Sequence, residues 1–321
     1  MEDRVVPFER PKADPPGSWG VPALLLGAEM QIERERAALT QRQVLAKAKI
    51  KVSASVYSRI ENGEMRIDKP AVVEVLLDAL GVRPGPRRQQ LLQLAHDASI
   101  EGWASSVRTR ARAAYRDAVP DSMLRLTSLE EWAERQLVID TNVISGALQT
   151  PRYCEVVTRR TLLASQRKLA DRAIEVRGMR AEKFEARLPR STFFIQRGAL
   201  YADFGEPGMM VEQLLALLRH VDDRRSPVAI RVIALEDPLA LQVSTLIRLS
   251  FAKGSFAAPD VIYISAGGRA EFHRGPIAGE EVDSDYLDYQ DLGDNVIKQA
   301  PGLARSRELI VEALEWHRAR L

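Results

Sequence analysis

Apolar positions recur at helical spacing through the first hundred residues and then give way to shorter runs of strand-like make-up. From Ala23 to Ala38, Leu24, Leu25, Met30 and Ile32 form one face, and Glu33, Arg34, Glu35 and Arg36 a charged one. Thr40 opens a second helix: its hydroxyl suits the orphan amides of a first turn, and Gln43 stands at the capping-box position. Val44, Leu45 and Ala48 give that helix its apolar side. Ser53 caps a third helix, in which Val56 or Tyr57 with Ile60 anchors one face and leaves Ser55, Ser58 and Arg59 on the other. Asn62-Gly63 stops it. Pro70 opens a fourth helix, with Val72, Val73, Val75, Leu76, Leu77 and Leu80 as its apolar set, ending at Gly81. Pro86 precedes a fifth, with Leu91, Leu92, Leu94 and Ala95 inward. Short helices around a small core predict a bundle over 21–100 that folds through local contacts.

The pattern beyond 125 is mixed. Ser128 caps a helix containing Leu129, Glu130, Trp132 and Ala133, and a long helix is expected from Arg159 to Leu188. Strands are expected at Thr192–Gln196, Val228–Leu235, Thr245–Ala252 and Asp260–Ile264, because these runs are β-branched and apolar. Helices are expected at Pro207–His220, Asp285–Ala300 and Leu303–Arg320. The fold class is therefore α+β: an all-α five-helix bundle, then a larger mixed α/β domain with a small sheet over 126–321. Residues 1–20, polar and proline-rich, read as a flexible arm. Residues 101–125 read as a basic linker with Arg108, Arg110, Arg112 and Arg116, either tracking DNA or, more plainly, forming a solvated helix face or connector.

At 321 residues the chain has room for two domains. It has no apolar run of about 18 residues, which excludes a spanning helix, and no signal-peptide start, so a cytoplasmic protein is expected. Cys154 is the one cysteine, which excludes an internal disulfide and a cysteine-clustered zinc site; it reads as a small buried apolar group. The net charge of +2 says little by itself. Its distribution says more. Between Thr40 and Arg66 stand Arg42, Lys47, Lys49, Lys51, Arg59 and Arg66, against only Glu61 and Glu64. Phosphate contact needs such a cationic surface. Two short helices at a tight turn are also the unit that lays its second helix in a DNA major groove, an ordinary helical hairpin being the plain alternative.

Catalytic chemistry is sparse. His96, His220, His273 and His317 are scattered singly and read as surface or helix-end residues. The acidic stretch Glu280–Asp288 fails the calcium-loop pattern, with Leu287 at a ligand position and Asp288 at the glycine position, and reads as a solvated helix N-terminus. Ser265–Arg269 reads as a tight turn into a strand at Glu271–His273 rather than an anion cradle. Met209, Met210 and Trp132 read equally as pocket lining or core, and Gly146–Tyr153 as a structural loop. No enzyme activity, cofactor or metal is expected.

Thr40-Gln41, Ser53 and Tyr57-Ser58-Arg59-Ile60-Glu61-Asn62-Gly63 resemble the signature of the Cro/CI (XRE) helix-turn-helix family. The resemblance implies that Gln41 touches a phosphate, that Ala54, Ser55, Val56, Ser58 and Arg59 face the groove, and that Glu61 holds the helix end. With the basic residues Lys49, Lys51 and Arg66 and the cap Ser53, these form the candidate DNA-binding set. The family usually has a Leu-Gly-Val-Ser turn; here Ala48-Lys49-Ile50-Lys51-Val52-Ser53 is about two residues longer and lacks glycine.

The larger part resembles the module behind such domains in WhiJ-like, antitoxin-like regulators of actinomycetes. The resemblance rests on Gly102-Trp103, Ser128-Leu129-Glu130 with Ala133, Ile144–Thr150 with Tyr153, Gly205, Met210, Gln213 and Leu214, the strand at Val228, and Val261-Ile262-Tyr263. Ser145, Gln196 and Tyr263-Ile264-Ser265 depart from the proline, glutamate and Tyr-Val-Glu usual there. It implies a regulator that pairs with small partner proteins and has no catalytic activity. Since one reading helix covers only half of a typical operator, a homodimer on double-stranded DNA is expected, with the C-terminal domain supplying dimerisation and binding a small partner protein or small-molecule effector. An antitoxin-like module whose main activity is neutralising a partner protein is the alternative.

Overall fold

The computed structural model describes residues 21–63, 65, 67, 69–99, 118–162, 164–233, 243–251, 259–266, 269–276 and 282–321. These divide into two units, the described residues of 21–99, 120–132 and 259, and those of 118–119, 133–251 and 260–321. The arm at 1–20 and the arginines at 108, 110, 112 and 116 lie outside the described residues. No described helix is long and apolar enough to cross a membrane.

The first unit contains α1 (Val21–Arg36), α2 (Gln41–Lys47), α3 (Ala54–Glu61), α4 (Pro70–Ala79), α5 (Pro86–Ser99) and α6 (Asp121–Glu130). Met30, Val44, Tyr57, Val73, Leu76, Leu77 and Leu91 are buried together at its centre, on the faces that their helical spacing marks out. Gly27 lets α1 lie against the end of α3, since a Cβ there would fall 2.2 Å from the Ile60 carbonyl oxygen. The stretch 121–125, read as linker, is the first half of α6. The helix expected to run through Ala133 ends at Glu130, where the Trp132 amide donates to the Leu129 carbonyl and closes the last turn. Trp132 is 49% exposed and belongs to no core.

The second unit holds β1 (Ala133–Asp140), α7 (Pro151–Thr161), α8 (Ala170–Arg187), β2 (Arg190–Gln196), α9 (Arg197–Leu200), α10 (Pro207–Asp222), β3 (Val228–Ile233), β4 (Thr245–Phe251), β5 (Val261–Ala266), β6 (Arg269–Arg274), α11 (Ser284–Gln299) and α12 (Leu303–Arg318). Its sheet has six strands in the order β3-β2-β1-β4-β5-β6. β1, β2 and β3 run parallel, whereas β4, β5 and β6 join as antiparallel neighbours beyond β1. Parallel neighbours need long crossovers, and α7 with α8, then α9 with α10, supply them. Alternate side chains serve opposite faces. Phe194 joins Leu137, Ile139, Leu246 and Ile262 in a cluster with Tyr286, Leu292 and Val296 of α11, while Phe193 meets Phe184 of α8 edge-on at 5.5 Å.

Three expectations change here. Ala133–Asp140 is a central strand, although Glu134 and Arg135 disguise it. The single helix from Arg159 to Leu188 is two: α7 ends at Thr161, Leu162 is extended, and a 3-10 segment, Ala164–Leu169, leads into α8. His273, read as surface or helix-end, is 9% exposed within β6, whereas His317 does stand in the last turn of α12 but is 2% exposed, its Nε2 2.9 Å from the Leu200 carbonyl oxygen. Elsewhere Asp283 caps α11 by accepting from the Asp285 amide, as the acidic stretch foretold; 280–281 lie outside the described residues. Ala266 pairs with Arg269 where β5 and β6 run antiparallel; the expected turn at 267–268 lies outside the described residues.

The loop after β1 is held from several sides. Gly146–Leu148 makes a 3-10 turn and Thr150 caps α7, so only its first half is loop. Gln213, fully buried on α10, accepts from the Thr150 amide at 2.7 Å and donates to the Leu148 carbonyl at 2.7 Å. The Ile144 amide donates to the Tyr153 hydroxyl at 3.1 Å, and the Gln149 Nε2 donates to the Ile144 carbonyl at 2.8 Å.

Candidate nucleic-acid interface

The hairpin from Thr40 to Gly63 is built by its own capping chemistry. The Thr40 hydroxyl accepts from the Gln43 amide, and the Gln43 side chain accepts from the Thr40 amide at 2.8 Å, a complete capping box. α2 closes in a Schellman arrangement: the Lys49 amide donates to the Ala46 carbonyl and the Ile50 amide to the Leu45 carbonyl. Lys49 therefore takes φ +54°, a left-handed position at which glycine is usual. Lys51 and Val52 follow before Ser53, whose hydroxyl accepts from the Val56 amide and starts α3. The added length thus falls after the left-handed residue, and the stop that glycine ordinarily makes is made by Lys49.

α3 turns Tyr57, Ile60 and Glu61 inward, all buried. At 100° per residue Ser55, Ser58 and Arg59 then point away; Ser55 is exposed, and Ser58 and Arg59 are partly so. Ala54 is also partly exposed. Val56, placed in the groove-facing set by resemblance, packs partly buried against the core. Lys49, Lys51 and Ser53 are exposed, although the Ser53 hydroxyl is engaged in the cap. Arg66 lies outside the described residues.

Glu61 organises the site from beneath. It is 2% exposed. The Arg34 Nε of α1 donates to its Oε1 at 2.7 Å and the Arg34 Nη2 to its Oε2 at 3.1 Å. The Gln41 Nε2 of α2 donates to the same Oε2 at 2.8 Å. A buried carboxylate is tolerable only when so satisfied. Burial lowers the Arg34 guanidinium, but its bond to Glu61 and that carboxylate's charge outweigh this and hold it above its ordinary value. Burial, with the Glu61 charge behind it, pushes the Tyr57 phenol well above its usual range. Gln41, the residue assigned to a phosphate, is thereby fixed at the opening of α2 with one amide hydrogen already used.

The electrostatic consequence is simple. Glu61 is the one acidic residue between Thr40 and Gly63, and it is buried and ion-paired with Arg34. Arg42, Lys47, Lys49 and Lys51 are exposed and Arg59 is partly so, so between Thr40 and Gly63 the charges that reach the surface are cationic. Reading the sequence missed Arg34: it sat unremarked in the charged face of α1, and only its separation from Glu61 across the fold gives it a role.

A family model described as a helix-turn-helix domain matches residues 25–91, and one described as a domain of unknown function (DUF5753) matches residues 123–310. No curated protein and no solved structure matches the chain. Residues 25–91 thus form a helix-turn-helix DNA-binding domain.

Proposed function

The chain belongs to the DUF5753 family with a helix-turn-helix domain ahead of it, and from that premise we propose that it is a sequence-specific transcriptional regulator of the Cro/CI type acting on double-stranded DNA. The observation that carries this reading is the α2–α3 hairpin, whose one carboxylate is buried against Arg34 while Arg42, Lys47, Lys49, Lys51 and Arg59 reach the surface. Arg42, Lys47, Lys49 and Lys51 hold phosphates, releasing counterions, while Ser55, Ser58 and Arg59 meet base edges. One reading helix covers half of a typical operator, so the protein works as a homodimer on two half-sites roughly 34 Å apart. The second unit serves regulation rather than catalysis: it supports dimerisation and binds a small partner protein or a small-molecule effector that shifts DNA affinity, as in the WhiJ-like regulators it resembles. Such a protein acts in the cytoplasm, on the nucleoid. Repeated selection of bound duplexes from a random pool tests the reading. Convergence on one motif with two-fold symmetry is the expected result, and a pool that stays random contradicts it.

A further inference from the structure

Arg177 of α8 has no carboxylate partner among the described residues. Its Nη1 donates to the Thr158 hydroxyl of α7 at 2.8 Å, and Thr158 is itself fully buried. Its ionisable neighbours among the described residues are the neutral Cys154 thiol, also of α7, and Arg180, one turn further along α8. Burial drives the Arg177 guanidinium below its ordinary value, and the second arginine adds to that. A desolvated cation beside another cation is an arrangement that folding alone disfavours, because buried charges are ordinarily paired. Arg177 is nevertheless only partly buried as a residue, so a small ion can reach it.

The surroundings are shaped to match. α7 and α8 are the crossover between the parallel strands β1 and β2, and the loop after β1 leads into α7. Arg180 lies against the Gly146 turn: a Cβ on Gly146 would stand 3.2 Å from its Nη1. That turn is pinned by Gln213 through Leu148 and Thr150, so the wall facing the arginines is rigid. The Gly146 turn follows the carboxyl end of β1, and the carboxyl ends of parallel strands are where open α/β sheets commonly bind ligands.

We propose that Arg177, held by Thr158 and followed on the same face of α8 by Arg180, is the binding site of a small molecule bearing an oxyanion group, a carboxylate or a phosphate. Arg177 supplies a planar fork that takes such a group in two parallel hydrogen bonds, and its pairing removes the cost of the unmatched charge. This gives chemistry and a place to the effector of the regulatory reading. The site itself stands on the geometry of the second unit and is testable without DNA.

The test is thermal unfolding of the full chain with sodium phosphate and, separately, sodium acetate, at constant pH and ionic strength, for wild type and Arg177→Met. Wild type is expected to gain roughly 3 °C with at least one anion once that anion stands about tenfold above its dissociation constant. Which anion acts distinguishes the phosphate from the carboxylate. Arg177→Met is expected to melt no lower than wild type in anion-free buffer, since it removes an unpaired charge, and to lose the rise. Absence of a rise with either anion at about 50 mM, an equal rise in the variant, or a lower melting point of a folded variant without anion overturns the site. Should the methionine variant fail to fold, Arg177→Lys keeps the charge without the fork, and an undiminished rise there overturns it equally. Operator affinity with and without the active anion is a separate reading, whose failure removes the regulatory role and leaves the site.

Discussion

Glu61, at the end of α3, and Arg34, on α1, form a two-pronged ion pair of 2.7 and 3.1 Å with the carboxylate 2% exposed. Removing one partner leaves the other charge buried and alone. Glu61→Ala is expected to destabilise the first unit by about 3–5 kcal/mol, read as a lower urea midpoint. Arg34→Met combined with Glu61→Leu is expected to recover part of that loss, since no charge is then stranded. A loss equal to the sum of the single changes argues against the pair.

Lys49 carries two opposed roles. Its left-handed backbone, φ +54°, strains any residue with a Cβ, by about 1–2 kcal/mol. Lys49→Gly is expected to stabilise the first unit by about 0.5–1 kcal/mol, the unfolded chain's extra freedom offsetting part of the relief. The same change is expected to flatten the salt dependence of DNA binding by about one unit of slope, the signature of one lost phosphate contact. Melting curves and binding isotherms at several salt concentrations read the two effects independently.

The close approach of α1 to α3 depends on Gly27. Because a Cβ there would stand 2.2 Å from the Ile60 carbonyl oxygen and 2.6 Å from that of Glu61, both backbone, Gly27→Ala is expected to cost about 3 kcal/mol by forcing the helices apart. Gly178 is a helical control in open space. Gly178→Ala is expected to be neutral or stabilising by up to about 1 kcal/mol.

The second unit has its own pH signature. Burial, opposed by the Ile144 amide that donates to it, pushes the Tyr153 phenol up to about 12 from an ordinary value of 10.0. The folded state therefore keeps this proton after the unfolded state has lost it. The contribution is fully present below pH 10, and it falls away as pH rises towards 12. The loss is about 2–3 kcal/mol over that window. Urea midpoints at pH 9 and about pH 11.5 for wild type and Tyr153→Phe isolate it, with the steeper fall expected in wild type.

Local chemistry was legible and tertiary partnership was not. The Thr40–Gln43 box and the Ser53 cap are decided within four residues, and both stand where the sequence placed them. Spacing left Val56 or Tyr57 as the partner of Ile60, and it is Tyr57 that α3 buries. β1 escaped because Glu134 and Arg135 interrupt its apolar run, and its partners β2 and β4 lie some fifty and more than a hundred residues away. The break between α7 and α8 has neither glycine nor proline to announce it. Arg34, Gln41 and Glu61 are joined across 27 and 20 residues, so the resemblance named Glu61 as a holder of the helix end without naming what it holds. Gln213 was visible as a landmark, and its grip on Leu148 and Thr150 across more than sixty residues was not.

The central claim is that the α2–α3 surface recognises defined DNA sites, and recovery of genomic fragments bound by wild type and by an Arg59→Ala, Lys51→Ala double variant tests it most directly. Discrete enriched sites for wild type and their loss in a variant that remains folded are the predicted outcome. Wild-type protein that enriches no discrete site, and whose retention on plain duplex vanishes with modest salt, would contradict the account.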